Sequence, residues 1–368
     1  MRVDFVDLKA QYKSIKEEID SAISKVLESA AFAAGPFVKS FEEHFAEQQG
    51  VKYCVGVNSG TAALHAAMMV LDVKAGDEVI VPANTFFATP EAVSLAGATP
   101  VFVDCDPLFY NLDVDKIEAA ISPRTKAIIA VHLYGQPARV DKIKQIAEKH
   151  GLFLIEDCAQ AHLATLNGQP VGTFGVMGCF SFYPGKNLGA YGEGGAVVTD
   201  DEKIYQKLMM FRDHGMATKY KHEIIGHNYR MEGLQGAILD VKLKYLEQWT
   251  EIRRKNAELY RHYLKDIEEI ELPTEMEGAK HVYHLYVIRT ERRDELQKYL
   301  ADNNIFTGIH YPIPCHLQNA YKNLGYKKGD FPITESYAER LLSLPMSEQL
   351  KEEQIAYVAE TIKKFWKS

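Results

Sequence analysis

Leu152-Phe153-Leu154-Ile155-Glu156-Asp157 is a short aliphatic run that closes on two acids. Such a run reads as a buried strand, and Asp157 then stands at its carboxyl end, where open α/β sheets place their ligands. The same texture repeats outward from it. Cys54–Val57, Glu78–Val81, Thr99–Val103, Ala127–Val131 and Ala196–Thr199 are compact apolar runs, and Thr61–Leu71, Pro90–Ala96, Asp115–Ala120 and Val140–His150 are helix-like stretches. This alternation predicts an α/β domain whose sheet is mostly parallel and has helices on both faces. Beyond Thr250 the pattern changes. Helices are expected over Glu251–Lys265, Asp294–Asn303 and Ser347–Lys364, and strands over His284–Arg289 and Ile305–His310, before Tyr311-Pro312-Ile313-Pro314. We place a boundary near residue 250, giving a large domain over 1–250 and a smaller α+β domain over 251–368.

A chain of 368 residues is too long for one small core, in keeping with two domains. The net charge of −8 argues against a nucleic-acid partner, so cations that meet an anionic ligand must be gathered locally. No apolar run is long enough to span a bilayer, and Met1-Arg2-Val3-Asp4-Phe5-Val6-Asp7 has acids where a signal peptide is apolar. A cytoplasmic protein without a membrane partner is expected. The five cysteines show no CxxC spacing and read as buried reduced thiols. Cys158, beside Asp157, is read as packing because no activating base is evident.

Three segments carry chemistry. Asp157 could keep a pyridine nitrogen protonated, although an Asp at a strand-to-helix turn also serves as a plain N-cap. Ser59-Gly60-Thr61 lies between a strand and a helix, where backbone N–H groups and the helix dipole favour a phosphate, or where Ser59 merely caps the helix. Lys186 sits in Ser181-Phe182-Tyr183-Pro184-Gly185-Lys186-Asn187-Leu188-Gly189-Ala190, an apolar segment bordered further on by Gly192, Gly194 and Gly195. A lysine held there is poised for a lowered pKa and imine formation, and Ser181 could add a hydroxyl to the phosphate. A lysine, an acid and a phosphate turn in this arrangement are the minimum equipment for pyridoxal phosphate. No metal is called for.

Asn58–Thr61, Glu156-Asp157-Cys158-Ala159-Gln160-Ala161-His162, Ser181–Ala190 with Gly192–Thr199, and Gly226-His227-Asn228-Tyr229-Arg230-Met231 occur in that order. Together they resemble the DegT/StrS family of pyridoxal-phosphate-dependent sugar aminotransferases, over essentially the whole chain from Phe5-Val6-Asp7-Leu8. The resemblance implies the aspartate-aminotransferase-like fold (fold type I) with a seven-stranded sheet. It implies that Lys186 is the imine-forming lysine and proton shuttle, and that Asp157 pairs with the pyridinium. Gln160 would contact the ring hydroxyl, Ser59, Gly60, Thr61 and Ser181 would hold the phosphate, and Phe86 and Ala159 would pack on the two ring faces. Asn228 would reach the cofactor of a neighbouring subunit, making an obligate homodimer with shared sites. Arg230 is a candidate for the carboxylate of the donor, L-glutamate, and Tyr183, Lys219, His310 and Tyr311 for the nucleotide sugar.

The segment Ala159–His162 with Tyr183–Lys186 is most similar to the branch that aminates a 3-keto group on dTDP-linked deoxyhexoses, giving a 3-amino sugar and 2-oxoglutarate. The alternatives are an aminotransferase for the 4-keto position of a UDP- or dTDP-linked sugar, and a regulatory protein on the same fold. A dehydratase of this fold would have a histidine in place of Lys186. Three positions depart from the family's usual residues: His227 replaces a tyrosine, Leu163 a glycine and Cys158 an alanine.

Overall fold

Seven strands organise the larger part of the chain: β1 (Tyr53–Val57), β2 (Glu78–Pro82), β3 (Thr99–Val103), β4 (Thr125–Val131), β5 (Phe153–Asp157), β6 (Met177–Ser181) and β7 (Gly195–Thr199). The structure, a computed structural model, describes residues 1–367. The sheet order is β1-β7-β6-β5-β4-β2-β3. β7 runs antiparallel to both its neighbours and the other pairs are parallel. Parallel neighbours need crossovers, and helices such as Gly60–Val70, Ala88–Leu95 and Val140–His150 supply them. The helix Val140–His150 ends at Gly151, whose φ of 65° lets the chain turn back into β5.

Two registers matter for function. Asp157 pairs with Val131 on one side and Cys179 on the other, so it sits in the middle of the sheet's carboxyl edge. Val57 and Ser181 both lie opposite Gly195, which brings the end of β1 and the end of β6 to one place.

A second core gathers Val3 with residues such as Ala257, Tyr260, Leu296, Leu300, Ile355 and Ile362. The helix Leu246–Leu264 runs across residue 250. Tyr286–Arg289 pairs antiparallel with Leu341–Leu344. The strand expected over Ile305–His310 does not form. Val3 bridges Ile305 from one side and Ser343 bridges Gly308 from the other, so the segment changes partner midway and builds no ladder. The last helix spans Glu352–Lys367 rather than starting at Ser347. Residues before it are held irregular by Asn256 Nδ2 on the Ser347 carbonyl (3.0 Å) and Tyr260 on the Pro345 carbonyl (2.9 Å).

All five cysteines are buried and free. Among the described residues no helix is long and apolar enough to cross a membrane.

Candidate active site

β5 reaches two residues further than its aliphatic run suggests, so both acids lie inside the strand and point to opposite faces. Both are buried. Glu156 accepts backbone N–H bonds from Gly172 (2.7 Å), Phe174 (2.7 Å) and Gly175 (2.8 Å). His132 completes its shell: Nδ1 accepts from the Ala138 N–H, so the ring proton lies on Nε2 and donates to Glu156 at 3.0 Å. Glu156 therefore supports the fold.

Asp157 is less fully served. Oδ1 accepts from the Ala159 N–H (3.1 Å) and Oδ2 from the Thr89 hydroxyl (2.8 Å). Burial pushes its pKa up against these two donors and the nearby charge of Lys186. A buried carboxylate in this state gains from a cationic N–H partner, which a protonated pyridine ring provides.

At the end of β1 the Ser59 hydroxyl accepts from the Ala62 N–H (3.0 Å), so its side chain serves as the helix cap. The turn is pressed against its neighbours. A Cβ on Gly60 would stand 2.5 Å from Ser181 Cβ, and a Cβ on Gly195 would strike the Ser59 carbonyl. Gly60, Thr61 and Ser181 thus share one cradle at a helix N-terminus.

The segment bearing Lys186 is closed by Ala190 N–H on the Phe182 carbonyl (2.8 Å) and turned by Lys186 N–H on the Tyr183 carbonyl (2.9 Å). Lys186 keeps partial solvent exposure. Enough protein still surrounds the amine that burial lowers its pKa to about 8, with Asp157 opposing. His162, His284 and His310 all feel the Lys186 charge and are held neutral, chiefly by burial. None of these three rings competes for a proton at neutral pH.

Gln160 is fixed between two tyrosines: its Oε1 accepts from the Tyr134 N–H (2.6 Å) and its Nε2 donates to the Tyr311 hydroxyl (3.1 Å). Phe86 is 54% exposed, its ring centroid 5.4 Å from that of Tyr311. It is therefore not core packing but an open aromatic face. Ala159 is half-buried and Tyr183 is 55% exposed. His310 bonds Ser343 Oγ through Nδ1 (2.8 Å), and its carbonyl accepts from the Tyr134 hydroxyl.

The remaining expected residues lie on one segment that leaves the sheet. Lys219 is exposed on the hairpin Met216–Thr218/Lys221–His222. Asn228 is exposed, and its carbonyl accepts from Asn58 Nδ2 (3.4 Å) beside the phosphate cradle. Arg230 bridges Val57 and is ion-paired with Asp213.

Sequence reasoning missed Thr89, Tyr134 and His284. Thr89 had no signal, because its contact with Asp157 spans 68 residues. Tyr134 had a faint one in Tyr134-Gly135: both take positive φ (61° and 98°), rare for a bulky residue. Leu163, at the family's glycine position, has φ 65°, which explains why glycine suits that site.

A buried carboxylate short of donors, an amine with a lowered pKa and a glycine-floored cradle at a helix start fit pyridoxal phosphate. The sequence profile of the DegT/DnrJ/EryC1/StrS aminotransferase family matches residues 13–363. The chain belongs to that family.

Members of the DegT family are pyridoxal-phosphate-dependent, as the resemblance implied. A protein of Geobacillus stearothermophilus named "Pleiotropic regulatory protein" is 45% identical over 369 residues, covering 100% of this chain and 99% of the relative. The dTDP-3-amino-3,4,6-trideoxy-alpha-D-glucose transaminase of Streptomyces venezuelae is 43% identical over 364 residues, covering 99% and 96%. The crystal structure of S. venezuelae DesV in complex with a ketimine intermediate superposes with a TM-score of 0.98 at 42% identity, covering 100% of this chain and 99% of that one. The α/β aminotransferase fold, the enzyme class and the cofactor agree with the sequence reading.

Proposed function

We propose that the protein transfers the amino group of L-glutamate to the 3-keto group of a dTDP-linked deoxyhexose, giving a 3-amino sugar and 2-oxoglutarate. The single observation that carries the chemistry is the Lys186–Asp157 pair: an amine lowered to about 8 by burial, across from a buried carboxylate. The match to a dTDP-3-amino sugar transaminase over the full chain supports the substrate class.

Pyridoxal phosphate supplies the electron sink for the bond broken at the donor's α-carbon. Lys186 Nζ would hold the cofactor at rest and, as a neutral amine, would accept the proton leaving the donor's α-carbon and supply one to the sugar carbon. Asp157 keeps the ring nitrogen protonated. Gly60, Thr61 and Ser181 receive the phosphate, Gln160 the ring hydroxyl, and Phe86 and Ala159 the ring faces. Tyr183, Lys219, His310 and Tyr311 face the nucleotide sugar. Arg230 takes the donor carboxylate on release from Asp213. The exposed Asn228 reaches the cofactor of a second copy, so the working unit is a homodimer with shared sites. Five buried free thiols fit a reducing, cytoplasmic setting, and the division near residue 250 separates the cofactor domain from the smaller one.

A purely regulatory role is disfavoured, because a net charge of −8 does not suit the nucleic-acid partner such a role would need. The test is incubation with glutamate and a panel of dTDP- and UDP-linked keto sugars, with the aminated carbon identified by NMR. Amination at C3 is expected, and amination at C4 alone overturns the assignment. Borohydride reduction and peptide mapping must place the cofactor on Lys186.

A further inference from the structure

The chain buries a second lysine. Lys242, on the helix Gly233–Leu243, has no solvent exposure, and among the described residues it joins no ion pair. Its Nζ donates to the carbonyl of Gly189 at 2.7 Å and lies 4.1 Å from the centre of the Tyr191 ring. An ammonium without a carboxylate partner is costly to bury, and an apolar side chain of similar length could fill the space more stably. Burial lowers its pKa to about 7, with Glu348 opposing, while the face of Tyr191 and the Gly189 carbonyl favour the charged form.

What the lysine touches gives the reason to keep it. Gly189 lies three residues after Lys186, in the segment that Ala190 closes onto Phe182. The same helix holds the segment again a little further on, where Gln235 Oε1 accepts from the Tyr191 N–H at 3.0 Å. A Cβ on Gly192 would stand 2.9 Å from Gln235 Nε2, so chain and helix are in close contact. Asn187, the residue directly after Lys186, is tied to the Val282 carbonyl (3.1 Å) and His284 (3.1 Å). Lys186 is therefore followed directly by a stretch braced at Asn187, Gly189 and Tyr191. One of those braces is the hydrogen bond from the buried Lys242 Nζ to the Gly189 carbonyl.

We propose that Lys242 is a positioning residue: by holding the Gly189 carbonyl it sets where the Lys186 amine stands relative to Asp157. This rests on Lys186 being the cofactor lysine, and it extends that reading to a residue that touches neither cofactor nor substrate.

The test compares wild-type holoenzyme with Lys242→Met and Lys242→Gln. Methionine matches the length without the donor, and glutamine keeps a shorter, neutral one. Four quantities are read: the borohydride label, the melting temperature, kcat and KM for glutamate, and the pH midpoint of the visible absorption change of the bound cofactor. We expect Lys242→Met to fold with a melting temperature within a few degrees of wild type and to carry the label on Lys186. Its kcat should fall at least tenfold with KM little changed, as about 1 Å of misplacement can cost a hundredfold, and its absorption midpoint should move. Lys242→Gln should fall between the two, and it supplies the same readings if Lys242→Met does not fold. A folded variant with kcat within about threefold of wild type and an unmoved midpoint overturns the proposal, as does a change confined to KM. A label on another lysine overturns the Lys186 reading itself, a result distinct from either.

Discussion

The Thr89 hydroxyl donates to Oδ2 of Asp157 at 2.8 Å, tying the start of the helix Ala88–Leu95 to the end of β5. Both residues are buried, and Thr89 in turn bonds the Thr85 hydroxyl at 2.8 Å. The carboxylate proposed to meet the ring nitrogen is thereby held by a residue from a different crossover.

Thr89→Val keeps the shape and removes the donor. A hydrogen bond to a charged group contributes about 1.5–3 kcal/mol, so cofactor affinity should weaken by about tenfold or more. That bond lowers the Asp157 pKa, so its loss raises the pKa further and moves the acidic limb of cofactor binding to higher pH. Absorbance titrations at several pH values check both effects. Unchanged affinity and an unmoved limb would show that Thr89 does not aim the carboxylate.

Lys186, with a pKa of about 8, should condense with pyridoxal phosphate at a rate that climbs with pH up to about 8 and then levels off. An ordinary lysine would keep climbing toward about 10.4. The same depression links to stability. Between about 8 and the unfolded value the unfolded chain binds the extra proton, so this group's contribution to stability grows as pH rises through that window. Stopped-flow reconstitution of cofactor-free protein reads the first effect. A rate still rising steeply at pH 10 would contradict the burial argument.

Phe86→Ala separates stacking from packing. A buried Phe→Ala change costs about 3–5 kcal/mol of stability, whereas this ring is 54% exposed. Cofactor-free protein should lose less than about 1 kcal/mol, while cofactor binding weakens clearly. Denaturant melts of the cofactor-free form, set beside binding titrations, decide it. A large stability loss would make Phe86 a core residue after all.

Glu156→Gln should be among the most damaging conservative changes. The carboxylate accepts from three backbone N–H groups and His132, and an amide would turn an N–H₂ toward donors. Breaking a buried charged network costs about 3–5 kcal/mol, readable as a lower urea midpoint. A midpoint near wild type would mean that the loop 172–175 reorganises cheaply.

The strand and helix alternation from Cys54 to Thr199 was legible because each crossover is local, and sheet burial writes itself as aliphatic runs. Lys186, Asp157 and the Ser59-Gly60-Thr61 turn could be proposed for a related reason: each sits where a strand ends, and backbone chemistry there is read from neighbours in sequence. The failures lie where distant segments compete. Ile305–His310 has strand-like composition, yet Val3 and Ser343 divide its pairing. Ser347–Leu350 looks helical, yet Asn256 and Tyr260 hold the backbone around it.

Taken alone, the order of residues determined the sheet class and singled out Lys186, the acid at the strand end and the Ser59-Gly60-Thr61 turn as candidates, because periodicity and turn chemistry act over a few residues. Only the tertiary structure decided that Thr89 aims Asp157, that Gln160 is clamped between Tyr134 and Tyr311, and that Lys242 holds the loop of Lys186. Those contacts join segments far apart in the chain, and a hydrogen bond between two distant residues leaves no trace in the local pattern of either.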